Sequence, residues 1–284
     1  MMYYVYLIAS LVGDLFITLE NNLLETAKDL WRSILIYPLL FLICVIFHIV
    51  IICTVSLFAE RSTERRSLNS IYRWLTLETI DLYLHIMRMD LHVSGEEIIP
   101  ENRRFFFVGN HISIFDPMIA MLFFRDKELS FISKKENIQI PFGGRLMLAS
   151  GVLPLDRENP RNAVYTIREA ASRIKDDFCS IGIYPEGKCN KTDELLLPFH
   201  SGSFKIAEKS KAPIVVATIR NTENMHKRFL FTSTDVYLDI IKVIEPDEYV
   251  QLRTNEISEL VWHEMYSHLS NKLCPEAETS AEIA

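Results

Sequence analysis

Two long apolar stretches open the chain, and a shorter alternation of apolar and polar positions follows them. Residues 1 to 19, MMYYVYLIASLVGDLFITL, contain one charged side chain, Asp14. They lack a basic start and a small-residue cleavage site, so they predict a retained interfacial or membrane helix rather than a signal peptide. From Ser33 to Ala59 no Asp, Glu, Lys or Arg interrupts the run. As a helix rising about 1.5 Å per residue it would be roughly 40 Å long, enough for a ~30 Å hydrocarbon layer. A core helix of a soluble protein is usually shorter and apolar on one side only, so a membrane location is expected. His48 lies inside this run, where a local polar partner is expected for it rather than chemistry. Arg61, Arg65, Arg66 and Arg73 follow closely, whereas Lys28 and Arg32 before the run are mixed with Glu20, Glu25 and Asp29. The positive-inside tendency then places the remainder on the cytoplasmic face of the cell membrane.

Beyond the arginines, Leu68, Ile71, Tyr72, Leu75, Leu82 and Ile86 recur at helical spacing and predict an amphipathic linking helix. Strands are predicted at Arg104–Val108, Leu129–Ser133, Val152–Leu155, Ser180–Tyr184, Ile214–Ile219 and Val236–Ile244. Between them, ENPRNAV starts a helix with Asn159 as cap and Pro160 at its first position; Val164, Ile167, Ala171 and Ile174 share one face. Such alternation predicts an α/β sandwich with a largely parallel or mixed sheet, preceded by membrane-associated helices. The expected division is residues 1–65 for the membrane part, 66–272 for the globular domain and 273–284 for a disordered tail.

Composition narrows the partners. The chain has 284 residues, 49% of them hydrophobic, enough for a substantial core, and a formal net charge of -7. That charge argues against nucleic acid, whose binding needs dense Lys and Arg. The five cysteines form no CxxC pair and no zinc-ligand cluster, which fits a reducing compartment and predicts no metal site.

Two loops at predicted strand ends carry the candidate chemistry. In FFFVGNHISIFDPM, His111 precedes Asp116 by five positions. Among eight histidines this spacing arises by chance roughly one time in three at ordinary residue frequencies. Asp116-Pro117 also reads as a helix N-cap and first-turn pair, an adequate structural reason for the aspartate. The second loop, CSIGIYPEGKCN, brings Glu186, Gly187 and Lys188 to a strand end; alone it is equally a Pro/Gly turn with solvated charges. Lys134, Gly143-Gly144 and Arg157 lie in a third stretch, where surface charge explains each basic residue singly.

Order and spacing together are more specific. GNHISIFD, then PFGG with GVLPLDR, then YPEG, then PFHSGSFKIAEKSKAPIVVATI resembles the four motif blocks of the glycerolipid acyltransferases over about residues 90 to 245. The resemblance is greatest to the 1-acylglycerol-3-phosphate acyltransferases. It implies a general base at His111 paired with Asp116, and acceptor-phosphate contact by Arg157 with Lys134 as helper. It assigns Glu186 and Gly187 to acceptor binding or site architecture, and Pro213-Ile214-Val215 to structure or the acyl donor. No cofactor is implied beyond acyl-CoA or acyl-carrier protein as co-substrate; the other partners are a lipid acceptor and the membrane.

The third block departs from the family's usual Gly-Thr-Arg-Ser, reading Gly187-Lys188-Cys189-Asn190. Lys188 supplies charge one position earlier but not an arginine's fork. His200 stands where a lysine is common, and Val216 where a second proline is. These changes leave open a different acceptor, such as glycerol-3-phosphate or a lyso-aminolipid, or a catalytically silent lipid-binding protein. A metal-dependent phosphohydrolase on His111 and Asp116 lacks further clustered ligands. Imidazole, with an ordinary pKa near 6.5, suits removal of a proton from an attacking hydroxyl, and a carboxylate on its other nitrogen sets the tautomer. Ser113 is expected to be structural, since direct attack by the acceptor needs no enzyme nucleophile. Amides near Gly187 or Asn110 are candidates for stabilising the oxyanion.

Overall fold

The computed structural model describes residues 1–20, 27–59, 70–227 and 232–273. Arg61, Arg65, Arg66 and the 274–284 tail, which carried the orientation and disorder expectations, lie outside the described residues. In chain order the elements are α1 (Met2–Glu20), α2 (Ala27–Phe58), α3 (Ser70–Ile86), β1 (Met89–Ser94), β2 (Phe106–Gly109), α4 (Asp116–Phe123) and β3 (Ser130–Lys134). They continue with α5 (Gly143–Ala149), β4 (Leu153–Leu155), α6 (Pro160–Lys175), β5 (Ile181–Ile183), α7 (Lys205–Ser210), β6 (Ile214–Arg220), β7 (Thr234–Ile244), α8 (Pro246–Tyr249) and α9 (Thr254–Leu273).

Two compact units result: residues 1–85 with 140–150, and residues 86–139 with 151–284. The linking helix and α5 therefore group with the N-terminal helices.

In the first unit, α1 and Ile34–Phe58 of α2 are long and apolar enough to cross a membrane. Their large side chains point outward: Ile8, Leu11, Phe16, Ile34, Leu39 and Phe47 are all exposed. Several polar groups, Ser10, Thr18, His48 and Ser56, are inside instead. His48, 2% exposed, shares its two ring nitrogens between the Tyr6 hydroxyl at 2.8 Å and Thr79 Oγ1 at 3.0 Å. The local partner expected for His48 is thus present.

The second unit is built on a seven-stranded sheet in the order β1-β7-β6-β2-β5-β3-β4, parallel throughout except for the antiparallel β6–β7 pair. Its central strands are buried on both faces, as parallel strands covered by helices must be: Phe106, Val108, Ile181, Ile214 and Val216 are fully enclosed. Six strands lie where the apolar runs predict them, and Asn159 caps α6 by accepting from Arg161 N and Asn162 N. The unpredicted strand is β1. Its Met89, Leu91 and Val93 alternate with Asp90, His92 and Ser94 at an edge, half-exposed on one side.

Parallel pairing aligns the C-terminal ends of β2, β3, β4, β5 and β6 along one edge, the usual place for a site in such sheets. A stack of rings rises there. Phe131 on β3 lies flat against Tyr184, centroids 5.2 Å apart, and Tyr184 lies against His111 at 4.6 Å. Gly182 makes room for this stack, because a Cβ there would stand 2.5 Å from Phe131 Cε1. Gly182→Ala should overpack the centre and cost about 1–3 kcal/mol, measurable as a lowered denaturation midpoint. An unchanged midpoint would show that the ring stack yields freely.

Candidate active site

Three loops at the C-terminal ends of adjacent strands converge. The loop after β2 supplies His111 and leads into α4. The sequence suggests that Asp116 caps this helix, but Phe115 occupies the cap position and Asp116 is the first helical residue. Its carboxylate turns back instead of forward. Oδ2 accepts from Ile112 N at 2.7 Å, Ser113 N at 2.8 Å and His111 Nδ1 at 2.8 Å. Oδ1 accepts from the hydroxyl of Thr222, after β6, at 2.6 Å. Asp116 is fully buried, so these four donors replace the water it has lost. Ser113 shapes this turn: its amide binds Asp116 and its hydroxyl accepts from Phe115 N.

The loop after β5 closes on the same histidine. Glu186, 3% exposed, accepts from His111 N at 2.6 Å and from Leu197 N at 3.0 Å. Burial is the main influence on this carboxyl and raises its pKa to about 7, against the opposing pull of those two amides. Both oxygens face backbone donors, which makes Glu186 a strut between loops. Four residues on, Asn190 N donates to His111 O at 2.6 Å. Between these two ties, Cys189 places Sγ 3.3 Å from His111 Nε2.

His111 is therefore held at both ring nitrogens. With Nδ1 donating to the carboxylate, the neutral ring presents a lone pair at Nε2. Burial acts to lower its pKa, but the hydrogen bonds to Asp116 and Cys189 and the charge of Asp116 outweigh burial and raise it to about 9. With 18% of its side chain exposed, the ring is reachable.

The other expected residues are distributed as follows. Gly187 has φ +74°, and a Cβ there would stand 3.0 Å from both Nη atoms of Arg157 and 2.9 Å from His200 Cδ2. Only glycine combines that conformation with so close an approach of the guanidinium. Arg157 follows β4 and is exposed. Lys134, the last residue of β3, and Lys188 are exposed too; among the described residues no hydrogen bond joins either to His111 or Asp116. Lys135, the neighbour of Lys134, pairs with Asp156 at 2.9 Å and ties the ends of β3 and β4. The Gly187 amide is committed to Tyr184 O at 3.0 Å, and the Asn110 side chain exchanges two hydrogen bonds with the Ile219 backbone. A grouping with metal-ligand spacing, Asp90, His92 and Asp235, is exposed on β1 and β7 and does not include His111.

Thr222, Tyr184 and the contact of Cys189 were not anticipated. Thr222 and Tyr184 reach the site through strand pairing, and the sequence carries no local sign of it. Cys189 stood out only as a departure within the third block.

An α/β sheet with a carboxylate-oriented imidazole at its C-terminal edge defines an acid–base transfer site. The sequence model described as Acyltransferase matches residues 90–220. The 1-acyl-sn-glycerol-3-phosphate acyltransferase of Saccharomyces cerevisiae is 28% identical over 205 residues, 69% of this chain and 66% of that one. Its counterpart in Haemophilus influenzae is 30% identical over 167 residues, 57% of this chain and 69% of that one. The matches thus span about two thirds of these relatives' lengths. The fold is also that of the 1-acyl-sn-glycerophosphate (LPA) acyltransferase PlsC of Thermotoga maritima, with TM-score 0.60, 24% identity, and coverage of 80% of this chain and 89% of that one. The chain belongs to the acyltransferase family.

Asp116→Asn keeps the size of the side chain and removes the charge that holds His111 protonated. The His111 titration midpoint, followed by NMR, should fall from about 9 toward 6.5. An unmoved midpoint would remove Asp116 as the dominant partner.

Proposed function

We propose that this chain transfers a fatty acyl group from a thioester donor, acyl-CoA or acyl-carrier protein, to the free hydroxyl of 1-acylglycerol-3-phosphate, giving phosphatidate. The observation that carries the reading is the 2.8 Å contact between His111 Nδ1 and the buried Asp116, which leaves Nε2 as the base. Nε2 takes the hydroxyl proton as the oxygen attacks the acyl carbonyl, and Asp116 stabilises the imidazolium that forms. The departing thiolate, with an ordinary thiol pKa near 8.5, needs little help to leave.

Arg157 is the candidate for the acceptor phosphate, because its guanidinium is a planar fork suited to phosphate oxygens and it lies beside Gly187 in the loop that braces His111. Lys134 and Lys188 would add positive charge at the same sheet edge. The names of the relatives support lysophosphatidate as acceptor. The missing third-block arginine favours a second reading, acylation of glycerol-3-phosphate or a lyso-aminolipid.

The apolar, outward-facing surfaces of α1 and α2 support membrane attachment, which gives access to an acceptor that resides in a bilayer. The globular unit is then assigned to the cytoplasmic face of the cell membrane, where soluble thioester donors are found.

The purified chain should acylate lysophosphatidate in preference to the other two acceptors; no turnover of lysophosphatidate would reject that assignment. His111→Ala should lower kcat by about a hundred- to ten-thousandfold. Arg157→Ala should raise KM for phosphate-bearing acceptors more than for those without phosphate. Since the base must be neutral and its pKa is raised, kcat/KM should climb with pH and level off near 9. A plateau already reached at pH 7 would contradict the paired arrangement.

A further inference from the structure

We propose that His200 is a second ligand for the acceptor's headgroup beside Arg157, and that the two together select acceptors bearing a phosphate monoester. This rests on the acyl-transfer reading above and names the headgroup class that the same site takes. Both side chains flank one point. A Cβ on Gly187 would stand 3.0 Å from both Nη atoms of Arg157 and 2.9 Å from His200 Cδ2, so the fork and the ring edge meet where this glycine has no side chain. Arg157 and His200 are both exposed, hence open to a ligand.

Neither group has a counter-charge. Arg103, Arg104, Arg173 and Arg220 of the same unit each pair with a carboxylate, and His92 and His268 each contact an aspartate. Among the described residues the side chains of Arg157 and His200 make no hydrogen bond and no ion pair. Lys188, next to Gly187, is exposed and unpaired as well. Groups that carry or can take up positive charge, gathered without an acid, repel one another until an anion sits among them.

Backbone bonds fix this meeting. His200 N donates to Pro185 O at 2.9 Å and Leu197 N donates to Glu186 at 3.0 Å, which laces residues 197–200 to the turn that carries Gly187. Glu186 also accepts from His111 N, so the headgroup ligands and the base share one support.

The count of donors points to the headgroup. A phosphate monoester presents three terminal oxygens and about −1.5 to −2 charges near pH 7. A diester presents two such oxygens and a single charge. The Arg157 fork covers two oxygens, and His200 Nε2, bonded to the Cδ2 that faces Gly187, is left for the third. The third block lacks its usual arginine, Cys189 standing in that place, and His200 supplies the second donor from the fourth.

The test is steady-state kinetics of the full chain in detergent micelles with acyl-CoA and three acceptors: lysophosphatidate, glycerol-3-phosphate and a lysophosphodiester. His200→Ala should raise KM for the acylated monoester by about tenfold or more, while kcat stays within about twofold and KM for acyl-CoA is unchanged. His200→Lys keeps a donor and a positive charge, and should bring KM back to within about threefold of wild type. An unchanged acceptor KM in His200→Ala would overturn the proposal, as would wild-type preference for the phosphodiester. An equal rise in KM for acyl-CoA, or no recovery in His200→Lys, would reduce His200 to a packing role and reject it too. Failure of the acceptor assignment looks different: glycerol-3-phosphate would be acylated in place of lysophosphatidate, its KM still responding to His200→Ala.

Discussion

A carboxylate with no access to water cannot remain charged unless donors surround it, and in this protein that requirement organises the site. Asp116 is fully buried and satisfied by two amides of its own turn, the Thr222 hydroxyl and the His111 ring. The first two donors exist only if residues 112–116 curl tightly ahead of α4. Thr222 reaches the same carboxylate because β6 runs parallel to β2 as its neighbour. The fourth donor is then restricted to one nitrogen of His111, so the tautomer follows from the fold. Removing any of the four would leave a buried charge short of a partner, which is costly in a low-dielectric surrounding.

The neighbour of β2 on its other side, β5, contributes an equally buried acid with a different use. Glu186 accepts two backbone amides from separate loops and touches neither ring nitrogen. Asp116 sets the chemistry of the imidazole, and Glu186 sets the position of the backbone beneath it. Burial raises Glu186 to about 7, so the folded chain takes up this proton at a higher pH than the unfolded chain would. The same loop requires glycine at 187, where φ is positive and the Arg157 guanidinium packs against the Cα. A candidate anion-binding group and the candidate base are thereby tied to one short segment.

Much of this was legible in the sequence because it is local. The apolar runs that become β2, β5 and β6, the Asn159 cap and the motif spacings are each contained in a few residues. Asp116 shows the limit of that reading: Asp-Pro ahead of an apolar helix has the signature of a cap, yet the chain starts the helix one residue earlier and spends the carboxylate upstream. Local propensity could not weigh that competition, since the deciding donors are Thr222, distant in sequence, and the ring of His111. The edge strand β1 escaped because its Met-Leu-Val alternation is short and adjoins a helix. Cys189 is visible in the sequence only as a substitution, and its contact with His111 is a sulfur-to-nitrogen distance that no spacing rule encodes.

The two units solve the burial problem in opposite senses. The sheet unit encloses Phe105, Phe106, Phe107 and Ile214 and keeps most charges outside. The helical unit encloses Ser10, His48 and Ser56 while Leu11, Phe16, Ile34 and Phe47 face outward. In water the second arrangement would forfeit the hydrophobic gain, about 25 cal/mol for each Å² of apolar surface left exposed. In hydrocarbon it becomes the stable one, since polar groups must then find partners within the protein, as His48 does with Tyr6 and Thr79. The acyl transfer proposed above pairs partners that differ in the same way, a soluble thioester and a lipid alcohol.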